Sequence, residues 1–350
     1  MKKENLYFCL ILGCGLNTLG QDIHFSQFNE HSSLINPALM GVTAPIKAVI
    51  GYKDQWRSVS VPYRTFGAAF DARIKPVNSQ QKDNKNIGRL ATGISIYNDN
   101  AGDGNMNRTL GNISLATYVK LSPNNILSMG LQASIIQLRL NNSKLIFPNQ
   151  YNGSEYNSSM ASGENFSSQN YIYADFAGGL LWNYVKIDNK ISGNKNIVII
   201  AGASVYHINK PRQAYLMASN TASYFKYVFH GDFLFRVSSS NMAIAPAYLF
   251  QFQGTSKELL MGMILKHYLE NNARYTGISK LSCFGYGIYY RNKDATVARV
   301  FYEHHERYAI GLSYDVNLSQ LAAASKTRGG LEIMLKYTPA NNLFQIKKDK

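Results

Sequence analysis

The chain has 350 residues and a formal net charge of +15, and only 16% of its residues are charged. A soluble protein carries charge on about a quarter of its residues, so this composition disfavours a fully soluble fold. The basic residues are scattered along the chain, which argues against a nucleic-acid-binding protein. Their charge suits anionic lipid head groups, acidic partners, or simply solvated loops and a polar interior.

The first 20 residues are organised as an export signal. Two lysines precede an apolar run over residues 6–12, and small residues lie just before position 21. We therefore predict a signal peptide over residues 1–20 and a mature chain that begins at Gln21. The alternative is lipoprotein processing at Cys14, because the sequence ending there resembles a lipoprotein cleavage box. Either route exports the chain.

Residues 21–45 precede the first predicted strand. We predict that this segment covers the mouth of a barrel or enters its lumen, where it packs as a plug or contacts a partner protein. Its candidate contact residues are two aromatic anchors, a turn-forming pair and a glycine that permits close backbone approach: Phe25, Phe28, Asn36, Pro37 and Gly41.

After residue 45 the chain repeats segments of roughly ten residues with alternating hydrophobicity, each followed by a turn rich in Asn, Gly, Ser or Lys. No stretch after the signal is apolar over about 18 residues, so we do not expect membrane-spanning helices. The pattern predicts an even number of strands, which is typical of bacterial outer-membrane barrels. The fourteen predicted strands span 46–57, 63–74, 89–98, 108–120, 126–138, 173–185, 196–207, 227–236, 241–251, 257–268, 281–291, 295–304, 307–316 and 329–337.

The alternation assigns one face of each strand to lipid and the other to the lumen. In residues 126–138 the odd positions from 127 to 135 are apolar, and the even positions between them are small or polar. Arg236 should point to the lumen, because a charge facing hydrocarbon at mid-depth costs about 2–4 kcal/mol. Arg291 and Asp315 are expected to face the lumen near each other and to form an ion pair. A soluble β-sandwich shows the same alternation, but the export signal, strand number and aromatic content favour an all-β, transmembrane antiparallel β-barrel of about 14 strands.

Three residues mark predicted strand ends. Trp56 ends the first strand, a position typical of an aromatic belt at the membrane interface. His207 and Lys210 follow the seventh strand, and we interpret them as a strand-end turn rather than a binding site.

The connections between predicted strands are unequal in length. Residues 139–172 and 208–226 are long and residues 122–125 form a tight turn, so we expect long loops at one end of the barrel and short turns at the other. The barrel would occupy residues 46–337. The tail, residues 338–350, has a basic end that either docks a periplasmic partner or is a frayed terminus.

Candidate metal and catalytic motifs are few. Residues 98–104 contain Asp99 and other oxygen ligands that suit calcium, but their spacing departs from a helix–loop–helix calcium loop, so we interpret them as a turn. His304 and His305 lie between two glutamates, but neighbours on a strand point to opposite faces, which disfavours a shared metal. Removal of the signal leaves only Cys283, and no spaced Cys/His set indicates zinc.

Catalytic signatures are weaker still. The chain has neither a GxSxG elbow nor a phosphate-binding GxxxxGK[ST] loop. We therefore predict a protein that is not an enzyme and that needs no cofactor or metal. A hydrolase assembled from lumen Ser, His and Asp residues on distant strands stays an alternative.

Nine segments, in order along the mature chain, carry a family resemblance. They are QDIHFSQFNEHSSLINPALMG (21–41), KDQW (53–56), GISIYNDNAGDG (93–104), YADFAGGLLW (173–182), GASVYHINKP (202–211), HGDF (230–233), GYGIYYRNKDA (285–295), IGLSYDVNLSQL (310–321) and GGLEIMLKY (329–337). Together they resemble the PorP/SprF family of Bacteroidetes outer-membrane proteins. One departure is Ala174, where the family pattern has Pro.

This resemblance implies an outer-membrane barrel that serves the type IX secretion system and the gliding machinery. The implied partners are a secreted client with a type IX C-terminal signal domain, such as an adhesin with a type B domain, other secretion or gliding proteins, and outer-membrane lipid. The implied function is to bind such clients and to support their secretion or surface attachment. The alternative is an outer-membrane channel for small solutes or hydrophobic ligands, because the same architecture serves both.

Overall fold

The structure is a computed structural model. It describes residues 22–57, 61–74, 89–102, 106–140, 145, 147–163, 170–190, 193–212, 222–237, 240–269, 282–319 and 322–339. The predictions for the signal peptide at 1–20, for processing at Cys14 and for the tail after residue 339 lie outside these residues.

Fourteen antiparallel strands form a closed barrel, which confirms the predicted fold class. Their bounds are β1 Ile46–Gln55, β2 Tyr63–Ile74, β3 Arg89–Ala101, β4 Met106–Ser122, β5 Asn125–Arg139, β6 Asn170–Lys190, β7 Gly193–Tyr206, β8 Lys226–Arg236, β9 Met242–Gln253, β10 Ser256–Tyr268, β11 Cys283–Arg291, β12 Ala295–His304, β13 Tyr308–Asn317 and β14 Arg328–Tyr337. The ring closes because β1 pairs with β14 on one side and β2 on the other, so that Ile50 lies opposite both Leu335 and Ala68.

In the residues that the structure describes, the helices are single short turns. They span Phe28–Glu30, Ser32–Ile35, Pro37–Leu39, Pro148–Gln150 and Ala322–Ser325. In the described part of the chain, no helix combines the length and the apolar character needed to cross a membrane.

The two faces of the strands differ as the alternation predicts. In β5, Leu127, Met129, Leu131 and Ile135 are exposed on the outer surface. The even-numbered residues Ser128, Gln132 and Ser134 are buried and face the lumen. An apolar exterior with a polar interior is the arrangement of a membrane barrel.

The core of the protein lies inside the barrel. One buried cluster joins Phe28, Ile35 and Leu39 to inward-facing side chains of β6 to β12. A second joins Ile23 and Phe25 to β3, β4, β5 and β6. Residues 22–42, here called the lumen segment, therefore form the apolar core together with inward-facing side chains of the wall.

The barrel has two ends, and the lumen segment crosses between them. At the entry end, β1 begins and β14 ends; at the far end, β1 ends and β2 begins. Asp22 lies at the far end, because it contacts Arg108 and Lys226 at the starts of β4 and β8. The segment then runs through the lumen to Gly41, which lies against Ala91 of β3 near the entry end.

The expected asymmetry of the connections is only partly present. The long connections 140–169 and 207–225 both leave the far end, as predicted. However, 75–88 and 269–282 join strands at the entry end and are each 14 residues long (88 − 74 and 282 − 268). The prediction that one end carries only short turns was therefore wrong. The length of a connection does not show at which end of the barrel it lies until the direction of the strands is known.

Candidate functional site

The occupied lumen is the candidate functional site. Three groups of charged or polar contacts hold the lumen segment to the wall, one at the far end, one in the far half and one towards the entry end. Between these groups, aromatic and apolar side chains fill the space. Each group depends on the strand alternation that turns charged residues inward.

At the far end, Asp22 lies in a cluster of positive charges. Its carboxylate is 2.7 Å from Arg108, 3.1 Å from Nε2 of His207 and 3.3 Å from Lys226. Nδ1 of His207 lies 3.0 Å from Asp175 of β6, so this imidazole sits between two carboxylates. His207 directly follows β7 with a φ of +61°, so it lies in the strand-end turn that the sequence analysis predicted. In addition, its contact with Asp22 holds the start of the lumen segment.

The charges of this cluster set its protonation. Burial opposes ionisation of Asp22, but Arg108, Lys226 and His207 outweigh it and hold the pKa of Asp22 well below its usual value. Burial alone would lower the pKa of His207, but the carboxylates of Asp22 and Asp175 raise it to about 9. Both partners are therefore ionised at neutral pH, and the contact is an ion pair.

In the far half of the lumen, the backbone of the segment is held by acids of the last two strands. The backbone N–H groups of Ser26 and Gln27 donate to the two oxygens of Glu332, at 2.7 and 2.9 Å. The Ser26 hydroxyl donates to Asp315 at 2.8 Å and accepts from Arg291 at 2.8 Å. Arg291 and Asp315 are themselves 3.1 Å apart, so the two inward-facing residues named from the sequence meet through an ion pair with Ser26 bound to both.

Towards the entry end, Glu30 is the anchor. Its carboxylate lies 3.1 Å from Arg299 and 3.4 Å from Lys336. Burial raises the pKa of Glu30, but Lys336 and Arg299 outweigh this effect and place it below the usual value. The lumen segment therefore forms ion pairs with cationic side chains of the wall through Asp22 at the far end and Glu30 towards the entry end.

Aromatic side chains fill the lumen between these anchors. Phe25 is buried and stacks on His31, with ring centroids 4.0 Å apart. Burial lowers the pKa of His31 to about 3, so this imidazole is neutral and acts as an aromatic filler. Phe28 is buried and meets Tyr289 of β11 edge-on, with ring centroids 6.2 Å apart.

Asn36 and Pro37 turn the segment where it presses on the wall. Asn36 is buried; its side-chain oxygen accepts from the backbone N–H of Ala38 at 2.9 Å, and its amide donates to the carbonyl of Leu180 at 2.9 Å. Wall glycines make room here, because a Cβ at Gly179 would overlap Asn36, and a Cβ at Gly130 would overlap the backbone of Pro37 and Ala38.

Gly41 and Trp56 both have left-handed backbone. Gly41 has a φ of +66°, and a Cβ there would lie 2.9 Å from the Cβ of Ala91, so both conformation and space require glycine. Trp56 has a φ of +60°, follows β1 at the far end and packs edge-on against Tyr63, with ring centroids 4.9 Å apart. These two residues lie at opposite ends of the barrel.

The other predicted residues are dispersed. Asp99 is not in a turn: β3 continues to Ala101, and Asp99 accepts a hydrogen bond from Thr65 at 2.6 Å. The turn interpretation failed because Asn and Asp were taken to end the strand.

Lys210 lies over the ring of Phe225 at 4.7 Å, and Arg236 lies over Tyr268 at 4.4 Å.

The reasoning about His304 and His305 also needs correction. Strand β12 ends at His304, and His305 has a φ of +50° in the following turn. Alternation does not apply there, and the two ring centroids lie 3.9 Å apart.

Sequence reasoning missed four anchors of the lumen segment or its wall: Asp22, Ser26, Glu30 and Glu332. For Asp22 and Glu30 a signal was available, because they are acidic residues in a segment that precedes a barrel rich in basic residues. Their partners could not be read from the sequence, because Ser26 and Glu332 are 306 positions apart.

Two spaces lined by described residues lie between the lumen segment and the wall. The larger is about 180 Å³ and lies beside Glu30, Arg299 and Lys336; we call it the chamber. The smaller is about 30 Å³ and lies beside Asp22 and His207.

Comparisons with known proteins were made for the whole chain. The family model described as "Type IX secretion system membrane protein PorP/SprF" matches residues 17–337. The comparison with curated proteins gave no match. The family and the fold are those of a secretion-system membrane barrel located in the outer membrane, which is not a known class of enzyme.

Three solved structures of similar shape are remote in sequence. The CymD monoaromatic hydrocarbon channel is 12% identical with a TM-score of 0.42, over 88% of this chain and 91% of that one. BamA from Haemophilus ducreyi lacking POTRA domains 1–3 is 10% identical with a TM-score of 0.40, over 84% and 70% of the two chains. OprB from Pseudomonas putida is 9% identical with a TM-score of 0.36, over 83% and 92%. Similarity of this degree says nothing about function.

Proposed function

Because the chain belongs to the PorP/SprF family of type IX secretion system membrane proteins, we propose that it is a plugged outer-membrane barrel that binds a secreted client. The client carries a type IX C-terminal signal domain, and the barrel supports its secretion or its attachment to the cell surface. The mechanism is recognition without turnover chemistry. Other proteins of the secretion or gliding machinery are its remaining partners.

The occupied lumen is the observation that carries this proposal. Residues 22–42 pass from the far end to the entry end, and ionic or hydrogen-bonded anchors hold them at Asp22, Ser26, Glu30 and Asn36. A solute channel needs a continuous water-filled path, whereas this lumen is filled by packed side chains. A filled barrel offers its loops and rims, rather than its interior, to other molecules.

The far end supports recognition of a client. Its connection 140–169 is the longest of the barrel, and in outer-membrane barrels the long loops face the cell exterior. Within this loop, Tyr151, Tyr156 and Met160 are exposed. Exposed aromatic side chains are the commonest energetic anchors of protein interfaces.

The same loop is braced from within. The amide of Gln150 donates to the carbonyl of Met160 at 3.0 Å, and the hydroxyl of Tyr156 donates to Gln150 at 3.0 Å. Bracing lowers the entropy lost when a partner binds, which favours a recognition surface. We therefore assign client contact to residues 147–163.

A secretion assay tests this proposal. Deletion of the gene should leave particular secreted proteins in the periplasm or release them from the cell surface, as measured by proteomics of each fraction. Combined substitution of Tyr151, Tyr156 and Met160 by serine should give the same loss, whereas Ser154→Ala in the same loop should not. Unchanged secreted and surface proteomes in the deletion strain would contradict the proposal.

A further inference from the structure

A basic patch lies at the far end of the barrel, where the turn between β1 and β2 meets the turn between β13 and β14. The two turns are neighbours because β1 pairs with β14, and the backbone N–H of Trp56 donates to the carbonyl of Gly329 at 2.8 Å. Exposed cations lie at these turns, and we call them the rim patch: Arg57, Arg64, Lys326 and Arg328. At the entry end, the exposed cations of the described residues are Lys120 and Lys186.

A β-bulge turns Arg328 to the outer surface. In β14, Leu331 and Leu335 are exposed on the outside, so alternation alone would turn position 328 inward. In the pairing of β13 with β14, the outward-facing Tyr314 lies opposite Leu331. Beyond a register shift, Val316 lies opposite Arg328. Val316 is two positions from Tyr314 and shares its face, and directly opposed residues of antiparallel strands face the same side. The bulge therefore re-aims Arg328 outward.

The rim patch is short of negative charge. The carboxylate of Asp54 lies 2.8 Å from Arg57 and 3.9 Å from Arg64. The two arginine side chains nevertheless remain 76% and 55% exposed. The other residues of the two turns, 58–62 and 318–325, are uncharged.

Lys326 and Arg328 are the cations of the patch that are free of an internal ion pair. Neither has a carboxylate within 4 Å in the described part of the chain. Asp294, on the neighbouring turn between β11 and β12, is already paired with Arg291 at 3.1 Å. Both cations are thus available to an external anion.

The rim patch lies at the edge of the apolar belt. On β2, the next outward-facing residue after Arg64 is Phe66, about 7 Å along the strand, and it is exposed. Leu331 of β14 is likewise exposed on the outer surface. Trp56 and Tyr63 pack edge-on beside the patch, and such aromatic residues are typical of the head-group level of a membrane. The cations therefore lie where hydrocarbon gives way to head groups, which favours a lipid over a folded client protein.

We propose that the rim patch binds the phosphate groups of lipopolysaccharide, the phosphorylated glycolipid of the outer leaflet. Guanidinium groups bind phosphate oxygens through paired hydrogen bonds, and the lysine adds a point charge. The acyl chains of the lipid pack on the apolar belt beside Phe66 and Leu331. The inference shares with the proposed function the orientation of the far end towards the cell exterior, and it does not depend on client binding.

Equilibrium binding of radiolabelled lipid A, the phosphorylated lipid portion of lipopolysaccharide, to the purified protein in detergent tests this inference. Saturable binding is expected, and it should weaken as salt is added, because salt screens exposed charges. Lipid A from which the phosphates have been removed should compete poorly, and equimolar inorganic phosphate should not displace the lipid. The double variant Lys326→Gln/Arg328→Gln should bind about thirtyfold more weakly, since each basic residue at an anionic lipid surface contributes about a factor of five.

The double variant Lys120→Gln/Lys186→Gln is the matched control, because it removes two exposed cations from the opposite end of the barrel and should bind as the parent protein does. Heat-dependent electrophoretic mobility verifies that each variant is a folded barrel. The inference is overturned if the folded parent shows no saturable binding, if the control variant loses as much binding as the rim variant, or if phosphate-free lipid A competes equally. Displacement by equimolar inorganic phosphate would indicate a site for the free anion and would also overturn it. A rim variant that binds lipid A normally but no longer supports secretion would assign the patch to the client instead.

Discussion

Replacement of Asp22 by asparagine should release the start of the lumen segment. The substitution keeps the shape of the side chain but removes the charge that pairs with Arg108, His207 and Lys226 at 2.7 to 3.3 Å. His207 retains its contact with Asp175, whereas Arg108 and Lys226 each lose this carboxylate. The effect should be confined to the far end, because the Ser26 and Glu30 anchors are untouched.

The structure sets the size of this effect. Breaking a buried ion pair costs about 3–5 kcal/mol, because the remaining charge stays buried without its partner. The Asp22 side chain is 15% exposed, so solvent compensates in part and the lower end, about 3 kcal/mol, applies. Since about 1.4 kcal/mol is a factor of ten, the open population of the segment should rise about a hundredfold.

Hydrogen exchange measured by mass spectrometry reports this opening, because local exchange tracks the free energy of local unfolding. The amides of residues 22–25 should exchange about a hundredfold faster in Asp22→Asn, while those of Ser26 and Gln27, which donate to Glu332, and those of the barrel strands keep their protection. Asp294→Asn is the matched control: Asp294 also pairs with an arginine at 3.1 Å, but its side chain is 39% exposed. Arg291 keeps its ion pair with Asp315, and an exposed carboxylate contributes only about 0–1 kcal/mol, so exchange should change little. Equal exchange in the parent and Asp22→Asn would refute the assigned role of this cluster.

Three further predictions concern the same segment. Gly179→Ala should destabilise the protein by about 1–3 kcal/mol, because the added Cβ would overlap Asn36. Gly178→Ala is the control, because a Cβ there meets only ordinary contacts of 3.6 Å or more. Equal melting temperatures of the two variants in detergent would contradict this prediction. Asn36→Ala should cost about 1–3 kcal/mol, because the buried backbone N–H of Ala38 loses its acceptor, and denaturant unfolding measures the loss. Stability should also fall at alkaline pH: the pKa of His207 is raised to about 9, so its contribution is complete below about 6.5 and is lost as pH rises through 9. The difference between the folded and unfolded pKa values of His207 corresponds to about 3 kcal/mol of stability. This role of His207 would be excluded if the free energy of unfolding stayed constant between pH 6 and 10. It would also be excluded if that free energy changed equally in His207→Gln.

The barrel itself was predictable because its signals are local. Period-two alternation gave all fourteen strands, most within three residues of their ends, and put Leu131 outside and Gln132 inside. The family prediction, made from nine short segments, is confirmed by the match over residues 17–337. Alternation also turned Arg291 and Asp315 to the same side, where they lie 3.1 Å apart.

The contacts of the lumen segment were not predictable, because they are long-range and have no period. Nothing local marks Ser26 as the partner of Glu332, or Asp22 as the partner of His207. The absence of two pairs from the β8–β9 ladder beside Pro246 was likewise missed, since the hydrophobic pattern of β9 continues through the proline without interruption. Pairing between strands, rather than composition, decides these features.

Single-channel conductance in planar lipid bilayers tests the central claim, that the lumen segment closes the barrel, most directly. The complete mature chain should show no steady openings, whereas a chain lacking residues 22–42 should insert and conduct ions. Steady, solute-permeable openings of the complete chain would contradict the account and favour a channel.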